Sequence, residues 1–341
     1  MSKPEFQPTV YKRPTNYIFP YLPASWVPYA ELMRIDRPGG FITFYAPCLF
    51  GISYATSIAA VQPPIALILD RSITAFLCCV LARGAACAWN DSVDRDFDRK
   101  VERCRLRPVA RGAVTRFQSH LFAIGQTVVI ILLLVRMPIA LLRYFGGIVL
   151  LSTLYPFAKR FTYYPQIVLG STFGVAFLAS ARSVDVDPMA KETLIPSICA
   201  FVANTLWSMI YDTIYAHQDV ADDIHSGVKS MAVRFQDSTK LVTSILAIVM
   251  TVMLAMTGVL AGLGPLYFAF TVGGGAVSLA ATIISVDLKD GSSCSWWFSR
   301  GYSFVGACIL TGFLAESVSK SGPGFEYMGL AKNASWIHTE L

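Results

Sequence analysis

Nine apolar stretches of about twenty residues restrict the fold of this chain more than any other feature. A helix needs roughly 20 apolar residues to cross the hydrocarbon core of a membrane. Each crossing stretch is predicted to be helical, because an open strand would leave its backbone amides unpaired in lipid. The sequence therefore predicts an all-α membrane protein with nine transmembrane helices. The predicted spans cover residues 40–61, 72–90, 117–135, 138–157, 165–181, 194–214, 241–262, 264–286 and 301–319.

Composition excludes most other classes of protein. Hydrophobic residues make up 54% of the 341 residues and charged residues only 15%, whereas a soluble domain is typically about 25% charged. A soluble enzyme and a disordered chain are therefore excluded. The eight cysteines form no CxxC pair and lie mostly in apolar runs, which argues against a zinc site or a disulfide scaffold.

Lys and Arg are distributed unequally between the two sides of the predicted bundle. Of the 28 basic residues, 20 lie in the N-terminal segment and the even-numbered loops, six lie on the opposite side and two lie within spans. Because basic loops stay in the cytosol, we predict a cytosolic N-terminal segment (1–37), a transmembrane domain (38–320) and a lumenal C-terminal tail (321–341). Asn333 in that tail begins a glycosylation sequon.

Eight of the 22 acidic residues lie in two short segments on the predicted cytosolic side. The first acidic cluster (90–98) follows the second span, and the second acidic cluster (212–223) follows the sixth. Each is predicted to continue its helix out of the membrane. Helical spacing then places Asp91, Asp94 and Asp98 on one face. The residues of the second cluster that share a face in this way are Asp212, Asp219 and Asp223.

Stacked carboxylates repel one another unless a cation lies between them. Mg²⁺ suits such a site, because it takes one or two carboxylates and completes its shell with water and substrate phosphates. Two facing clusters would hold a diphosphate through bridging Mg²⁺. The alternative is a pair of solvated helix ends or a salt-bridge network with nearby arginines. Acidic residues near the membrane core are costly and usually functional, which favours the first interpretation. Four basic residues near these segments suit a phosphate, namely Arg34, Lys159, Arg160 and Lys229.

These residues resemble the signatures of the UbiA superfamily of intramembrane aromatic prenyltransferases. Residues 90–98, with Arg107, Pro108 and Gly112 after them, look like the first signature of that superfamily. Residues 212–223, followed by Gly227 and Lys229, look like the second. Residues 34–40 are similar to the stretch that leads into the family's first helix. Residues 155–166 are similar to the segment between the family's helices four and five. The resemblance covers roughly residues 30–320.

The resemblance implies a nine-helix bundle around a central cavity and Mg²⁺-dependent transfer of a prenyl chain from its diphosphate to an aromatic ring. By position, the ligands of the Mg²⁺-diphosphate would be Asn90, Asp91, Asp94, Asp98, Asp219 and Asp223. Arg34, Lys159 and Lys229 would bind phosphate oxygens. Tyr155, Asp212 and Tyr215 would line the same pocket. An apolar intramembrane cavity would also exclude the water that destroys an allylic cation.

Two acceptors fit this resemblance. The general look of the chain resembles fungal meroterpenoid-pathway prenyltransferases, which implies farnesyl transfer to a phenolic polyketide acid at the endoplasmic reticulum. The alternative is a 4-hydroxybenzoate polyprenyltransferase of ubiquinone synthesis in the mitochondrial inner membrane. The first 37 residues show no mitochondrial transit peptide, which favours the first acceptor. The expected partners are a prenyl diphosphate, a phenol and the lipid bilayer.

Two other classes of membrane protein fit these features less well than an enzyme. A cation-coupled transporter would often have broken helices with charge near the membrane midplane, whereas the charge here lies at one end of the predicted bundle. A structural membrane scaffold has no need of two acidic clusters. Nucleic acid is not an expected partner, because most of the positive charge behind the net +6 is accounted for by the orientation of the helices.

Overall fold

The structure, a computed structural model, describes residues 10–37 and 39–320, and all regular elements within them are helical. The predicted C-terminal tail, with Asn333, lies outside the described residues. The predicted domain boundaries and the use of the sequon therefore stay predictions. Nine long helices fall within the described ranges. They are α1 (Gly39–Ile58), α2 (Ile65–Val93), α3 (Arg116–Leu134), α4 (Leu141–Phe161), α5 (Pro165–Ser183), α6 (Leu194–Ala216), α7 (Thr239–Leu260), α8 (Pro265–Ser285) and α9 (Gly291–Lys320).

Each predicted span overlaps one of these helices, and α2 and α9 extend well beyond the predicted bounds. Among the described residues, eight helices are long and apolar enough to cross a membrane. The helix outside that set is α5, whose sequence carries Gln166, Arg182 and several small polar residues. More than half of its residues are buried against neighbouring helices, so it need not be apolar all round. The count of nine spans stays a prediction.

The helices form one bundle in which neighbours in sequence are mostly neighbours in space. From α4 to α9, each helix packs against the next, and α9 returns to α1. Helix α1 also packs against α2 and α5, which closes the bundle. On the far side of α2, α3 packs mainly against α2 and only slightly against α4. The region between α2, α3 and α4 is therefore the most open part of the bundle.

Helix α5 is held closely between α1 and α6 by two glycines. At Gly51 of α1, an added Cβ would collide with the carbonyl oxygen of Phe177 in α5. At Gly170 of α5, it would lie 2.6 Å from the carbonyl oxygen of Thr205 in α6. Small residues allow helix backbones to approach closely in a membrane. Because of these contacts, α5 has little freedom to move away from its neighbours.

A stack of aromatic rings fixes α6 against α9. The ring centroids of Trp207 and Tyr302 lie 3.9 Å apart, and the Tyr302 hydroxyl donates a hydrogen bond to the carbonyl of Thr43 in α1 at 3.1 Å. Tyr211 packs against both rings and donates to the carbonyl of Gly301 at 3.1 Å. On α6 this group of packed rings directly precedes Asp212 and Tyr215, so it fixes the start of the second acidic cluster.

Candidate active site

A cavity of about 490 Å³ lies at the end of the bundle where α2, α4 and α6 finish. The structure brings together at this cavity every site residue that the sequence predicted within the described ranges. They are Arg34, Asn90, Asp91, Asp94, Asp98, Tyr155, Lys159, Asp212, Tyr215, Asp219, Asp223 and Lys229. The two acidic clusters, 114 or more positions apart in sequence, therefore share one space. The charge lies at one end of the bundle, as expected for an enzyme of this type.

The first acidic cluster continues α2 as predicted only as far as Val93. Helix α2 ends at Val93, and a short helix, Arg95–Asp98, follows after a break at Asp94. The backbone N–H groups of Asp94 and Asp98 still donate to the carbonyls four residues earlier, both at 2.8 Å. Helical spacing of the carboxylates thus survives the break, and all three reach the cavity. Asp96 points elsewhere, as predicted, and pairs with Arg116 on the surface at 2.7 Å.

Cations of the protein neutralise the first cluster. Arg34 donates from Nη2 to both oxygens of Asp91, at 2.7 and 2.8 Å. Arg107 donates from Nη1 to both oxygens of Asp98, at 3.0 and 2.9 Å, and reaches Asp91 at 3.3 Å. Asp91 is only 1% exposed, and a buried carboxylate is costly unless it is paired in this way.

Lys159 on α4 completes this side of the cavity. Its Nζ donates to Asn90 Oδ1 at 3.2 Å and to Asp94 Oδ2 at 3.1 Å. Its backbone carbonyl accepts a hydrogen bond from the N–H of Lys229 at 2.9 Å, which joins α4 to the segment after the second cluster. The side chain of Lys229 lies over the ring of Tyr163, 5.6 Å from its centroid. Two lysines from separate segments thus flank the carboxylates.

The second acidic cluster also departs from a single helix. Helix α6 ends at Ala216, a 3₁₀ turn covers His217–Asp219, and a short helix spans Val220–Ser226. Arg103 donates to both carboxylate oxygens of Asp219, from Nε to Oδ1 at 2.9 Å and from Nη2 to Oδ2 at 2.5 Å. Its Nη1 also donates to the hydroxyl of Tyr215 at 3.1 Å. Asp212 and Asp223 differ, since across the described ranges no Lys, Arg or His nitrogen lies within 4.0 Å of either carboxylate.

Burial raises the pKa of the Asp98 carboxyl to about 6, and the guanidinium of Arg107 opposes part of that increase. The direction follows from desolvation, which disfavours the charged form of a buried acid. Keeping the Asp98 carboxylate charged in this cavity therefore costs free energy unless cations lie nearby. A divalent cation in the cavity would lower this cost.

Arg103 and Arg107 are site residues that the sequence interpretation missed. Both belong to the basic loop after α2, whose positive charge is also what membrane orientation alone predicts. Arg107 stands in the Arg107–Pro108 pair that carried the family resemblance, so a signal was present. Arg103 gave no comparable signal, because only the fold brings its loop to Asp219.

The donor set fits Mg²⁺ held together with phosphate rather than a closed metal cage. Across the described ranges, no three His, Cys, Asp or Glu side chains converge closely enough to hold a metal by themselves. Mg²⁺ commonly keeps several waters and binds through one or two carboxylates plus substrate phosphates. The amide oxygen of Asn90 and the unpaired carboxylates of Asp212 and Asp223 are ligands of the kind it prefers.

Comparison with known proteins identifies the family. The UbiA prenyltransferase family matches residues 41–306. The chain is 38% identical to the prenyltransferase ascA of Acremonium egyptiacum, over 91% of each chain. It is 36% identical to the DMOA farnesyltransferase nvfB of Aspergillus novofumigatus, over 74% of this chain and 79% of that one. It is 35% identical to the mitochondrial 4-hydroxybenzoate polyprenyltransferase of Schizosaccharomyces pombe, over 86% and 81%.

Solved structures with the same fold come from more distant proteins. A UbiA homologue from Aeropyrum pernix K1 has a TM-score of 0.63 at 18% identity, with 82% of this chain and 98% of that chain covered. A UbiA homologue from Archaeoglobus fulgidus, solved bound to GPP and Mg²⁺, has a TM-score of 0.61 at 14% identity, with 85% and 99% covered. The fold, the cavity and the sequence match agree. The chain belongs to the UbiA prenyltransferase family and is a membrane aromatic prenyltransferase.

Proposed function

We propose that this protein transfers a farnesyl group from its diphosphate to a ring carbon of a phenolic polyketide acid, with Mg²⁺, as an early step of fungal meroterpenoid biosynthesis. One observation carries the proposal: both acidic clusters and six lysine and arginine residues meet at a single cavity. The relatives support the reaction class, and one of them is named a farnesyltransferase.

Residues of both acidic clusters would hold the metal and diphosphate, namely Asn90, Asp91, Asp94, Asp98, Asp219 and Asp223. When bound, Mg²⁺ neutralises the negative charge that develops on the departing diphosphate. Arg34, Lys159 and Lys229 would bind phosphate oxygens and add to this stabilisation. Arg34 and Lys159 already lie against Asp91 and Asp94, so small side-chain movements bring their nitrogens to a phosphate.

The remaining lining residues would handle the carbon chain and the acceptor. Tyr155, Phe44 and Phe173 line the cavity, and aromatic faces stabilise a nearby cation such as an allylic carbocation. The surrounding helices keep water away from that cation, because water would capture it before the ring does. The Asp212 carboxylate, which has no cation partner in the described part of the chain, is available to take the proton that the acceptor loses.

An apolar extension of the cavity supports a lipid-like donor. Below Phe44 and Phe173 the space continues between α2, α4 and α5, where mostly apolar side chains line it. A diphosphate head at the acidic clusters would place its hydrocarbon tail in this extension. A water-soluble phosphate has no hydrocarbon part that an apolar lining of this kind would bury.

The alternative acceptor is 4-hydroxybenzoate, because a polyprenyltransferase that uses it by name shares 35% identity with this chain. The two acceptors also imply different membranes. Farnesylation of a polyketide acid accords with the endoplasmic reticulum and cytosolic acidic clusters, whereas ubiquinone synthesis accords with the mitochondrial inner membrane. A transporter is not supported, since the chain belongs to a family of prenyltransferases.

Product mass tests donor and acceptor together. Membranes containing the full chain would be incubated with Mg²⁺, prenyl diphosphates of graded length, and either an orsellinic-type acid or 4-hydroxybenzoate. We expect farnesylated orsellinic-type product from the wild type and none from Asp91→Ala or Asp219→Ala. Asp96→Ala is the matched control, since Asp96 belongs to the first cluster but faces the surface. Normal turnover in both cavity variants would overturn the metal assignment, and product from 4-hydroxybenzoate alone would favour the alternative.

A further inference from the structure

A narrow apolar channel leaves the polar cavity at the end away from the acidic clusters. The two spaces share four lining residues, Phe44, Ser152, Thr172 and Phe173, so the channel begins where the polar cavity ends. The channel is smaller than the polar cavity above it, and a hydrocarbon chain that followed it would run extended along its length.

The channel runs along the helix axes towards the opposite end of the bundle. On α5 its lining runs from Thr172 to Ser183, and on α4 it runs from Ser152 to Leu141. Each of these intervals is eleven residues, which at a helical rise of 1.5 Å per residue corresponds to about 16 Å. The two helices are antiparallel and give the same length independently.

A hydrogen bond between α2 and α5 marks the far end of the channel. Arg71 of α2 donates from Nε to the carbonyl of Ser183 at 3.2 Å, and its Nη1 pairs with Asp70 at 3.0 Å. Leu141 of α4 lines the same end and is 5% exposed. An apolar chain that passed this point would have to separate a charged group from its partners, which is unfavourable. Arg71, Ser183 and Leu141 therefore lie at the far end of the channel, where they form its floor.

The walls are lined by small side chains that leave room for a chain. Ala176 and Ala179 lie on one face of α5, roughly 6 Å and 10 Å below Thr172 by helical rise. Ala75 and Ala82 line the channel from α2. Each position is a place where a larger side chain would shorten the available length by a defined amount.

The length of the channel corresponds to three isoprene units. An extended chain advances about 3.5 Å for every three bonds, so the four chain bonds of an isoprene unit span about 5 Å. Three units then span about 15 Å by the same geometry, close to the distance of about 16 Å between the shared lining residues and the floor, which requires the first carbon of the donor to lie beside Phe44 and Phe173. A fourth unit would have to pass Arg71.

A second apolar route leads sideways between α2, α3 and α4. Its outer lining includes Ile124 and Val128 of α3, which are 59% and 48% exposed, and such a surface lies against lipid in a membrane. A chain that rested in this opening would have no fixed limit on its length. The lateral opening shares Ala82, Phe145 and Ser152 with the channel, so it also provides a path into the channel.

We propose that the channel is a ruler for the prenyl donor, with the floor at Arg71, Ser183 and Leu141 limiting the chain to three isoprene units, while the lateral opening admits it. This inference rests on the proposed function, because it requires a prenyl diphosphate headgroup at the acidic clusters. It adds which residues select the donor's length and accounts for a farnesyl rather than a longer polyprenyl chain.

Substitutions along α5 test the ruler step by step. Transfer is measured with donors of one to four isoprene units, and binding of their non-hydrolysable thiolodiphosphates is measured in parallel without turnover. Ala179→Phe should shift the preferred donor to two units and Ala176→Phe to one unit. Leu141→Ala and Arg71→Ala should admit four units. Each shift should change the ratio of kcat/KM for neighbouring donors by about tenfold or more, since pockets discriminate single methylenes by that factor.

The matched control is Ala280→Phe, the same change at an exposed position of α8, and its donor preference should equal that of the wild type. If either alanine variant fails to fold, the lengthening variants still test the floor in the opposite direction. Transfer with an unchanged length preference in all folded variants overturns the ruler and leaves the proposed function standing. Failure of the wild type with every donor and acceptor overturns both.

Discussion

The two acidic clusters share one cavity but differ in how their charge is balanced. In the first cluster, Asp91, Asp94 and Asp98 each pair with an arginine or lysine within 3.1 Å. In the second, Asp219 pairs with Arg103, while Asp212 and Asp223 have no ion pair with any residue that the structure describes. One side of the cavity is therefore neutralised by the protein, whereas two carboxylates on the other side have no ion pair among the described residues, and burial raises the pKa of the Asp223 carboxyl to about 7.

This difference indicates a division of roles within one site. Paired carboxylates hold their partners in place, and the first cluster positions Arg34 and Lys159 beside the space a diphosphate would take. A carboxylate without an ion pair can bind an incoming cation without first releasing a cationic side chain, and a nearby opposite charge favours its ionised form. We therefore expect the first cluster to contribute more to stability and orientation, and the second to contribute more to metal affinity.

The largest effect is expected at Arg107, which contacts both Asp91 and Asp98. Arg107→Met would leave these buried carboxylates short of a partner, at a cost of about 3 kcal/mol in the free energy of unfolding. The pKa of Asp98, about 6 in the native protein, would rise further. Turnover should fall roughly a hundredfold, as when one stabilising donor is removed from an active site. Thermal unfolding in detergent and product formation measure the two effects.

Arg116→Met is the control for Arg107→Met, since Arg116 pairs with the exposed Asp96. We expect unfolding and turnover in that variant to match the wild type. If Arg107→Met kept full stability, the first cluster would not depend on its cations, and the contrast between the clusters would fail.

A smaller and more selective effect is expected at Asp223. Asp223→Asn should raise the Mg²⁺ concentration for half-maximal turnover by about tenfold, the size of change seen when groups around a metal are altered. Stability should stay close to that of the wild type, because the carboxylate loses no ion pair. The matched control is Asp222→Asn, whose side chain accepts from the backbone N–H of Glu102 at 3.1 Å instead of lining the cavity. An unchanged Mg²⁺ requirement in Asp223→Asn would argue against metal binding by the second cluster.

The smallest effect, with the opposite sign, is expected at Arg103. This residue competes with a cation for Asp219, so Arg103→Gln should tighten Mg²⁺ binding in the absence of donor. A partly exposed ion pair contributes about 1 kcal/mol, which corresponds to roughly a fivefold change in the dissociation constant. A thermal-shift titration with Mg²⁺ alone measures it. Weaker Mg²⁺ binding in Arg103→Gln would mean that Arg103 organises the metal site instead of competing for it.

Much of the site could be predicted from sequence because its residues combine short spacing with an unusual setting. Carboxylates three and four residues apart at the end of an apolar span have few structural explanations, and Asp91, Asp94 and Asp98 were found in that way. The helical prediction failed locally at Asp94 and Ala216. Both places lie beyond the apolar part of the predicted span, where backbone groups need not all be satisfied within one helix.

Other features depend on contacts that spacing does not encode. The pairing of Arg103 with Asp219 joins two loops more than 100 residues apart, and local sequence contains no trace of it. The floor of the channel likewise needs Arg71 and Ser183 to meet across two helices. The composition of α5 is a further example. Its polar and small residues are explained by its burial against neighbouring helices, which the local sequence does not show.

The close packing of α5 between α1 and α6, at Gly51 and Gly170, also bears on how this protein could diversify. Bulk added at Ala176 or Ala179 cannot be relieved by sliding the helix, so it has to project into the channel. Product size would then change in whole isoprene steps through single substitutions that leave every charged group in place. Under selection, the size of the terpenoid part could thus vary independently of the chemistry that attaches it.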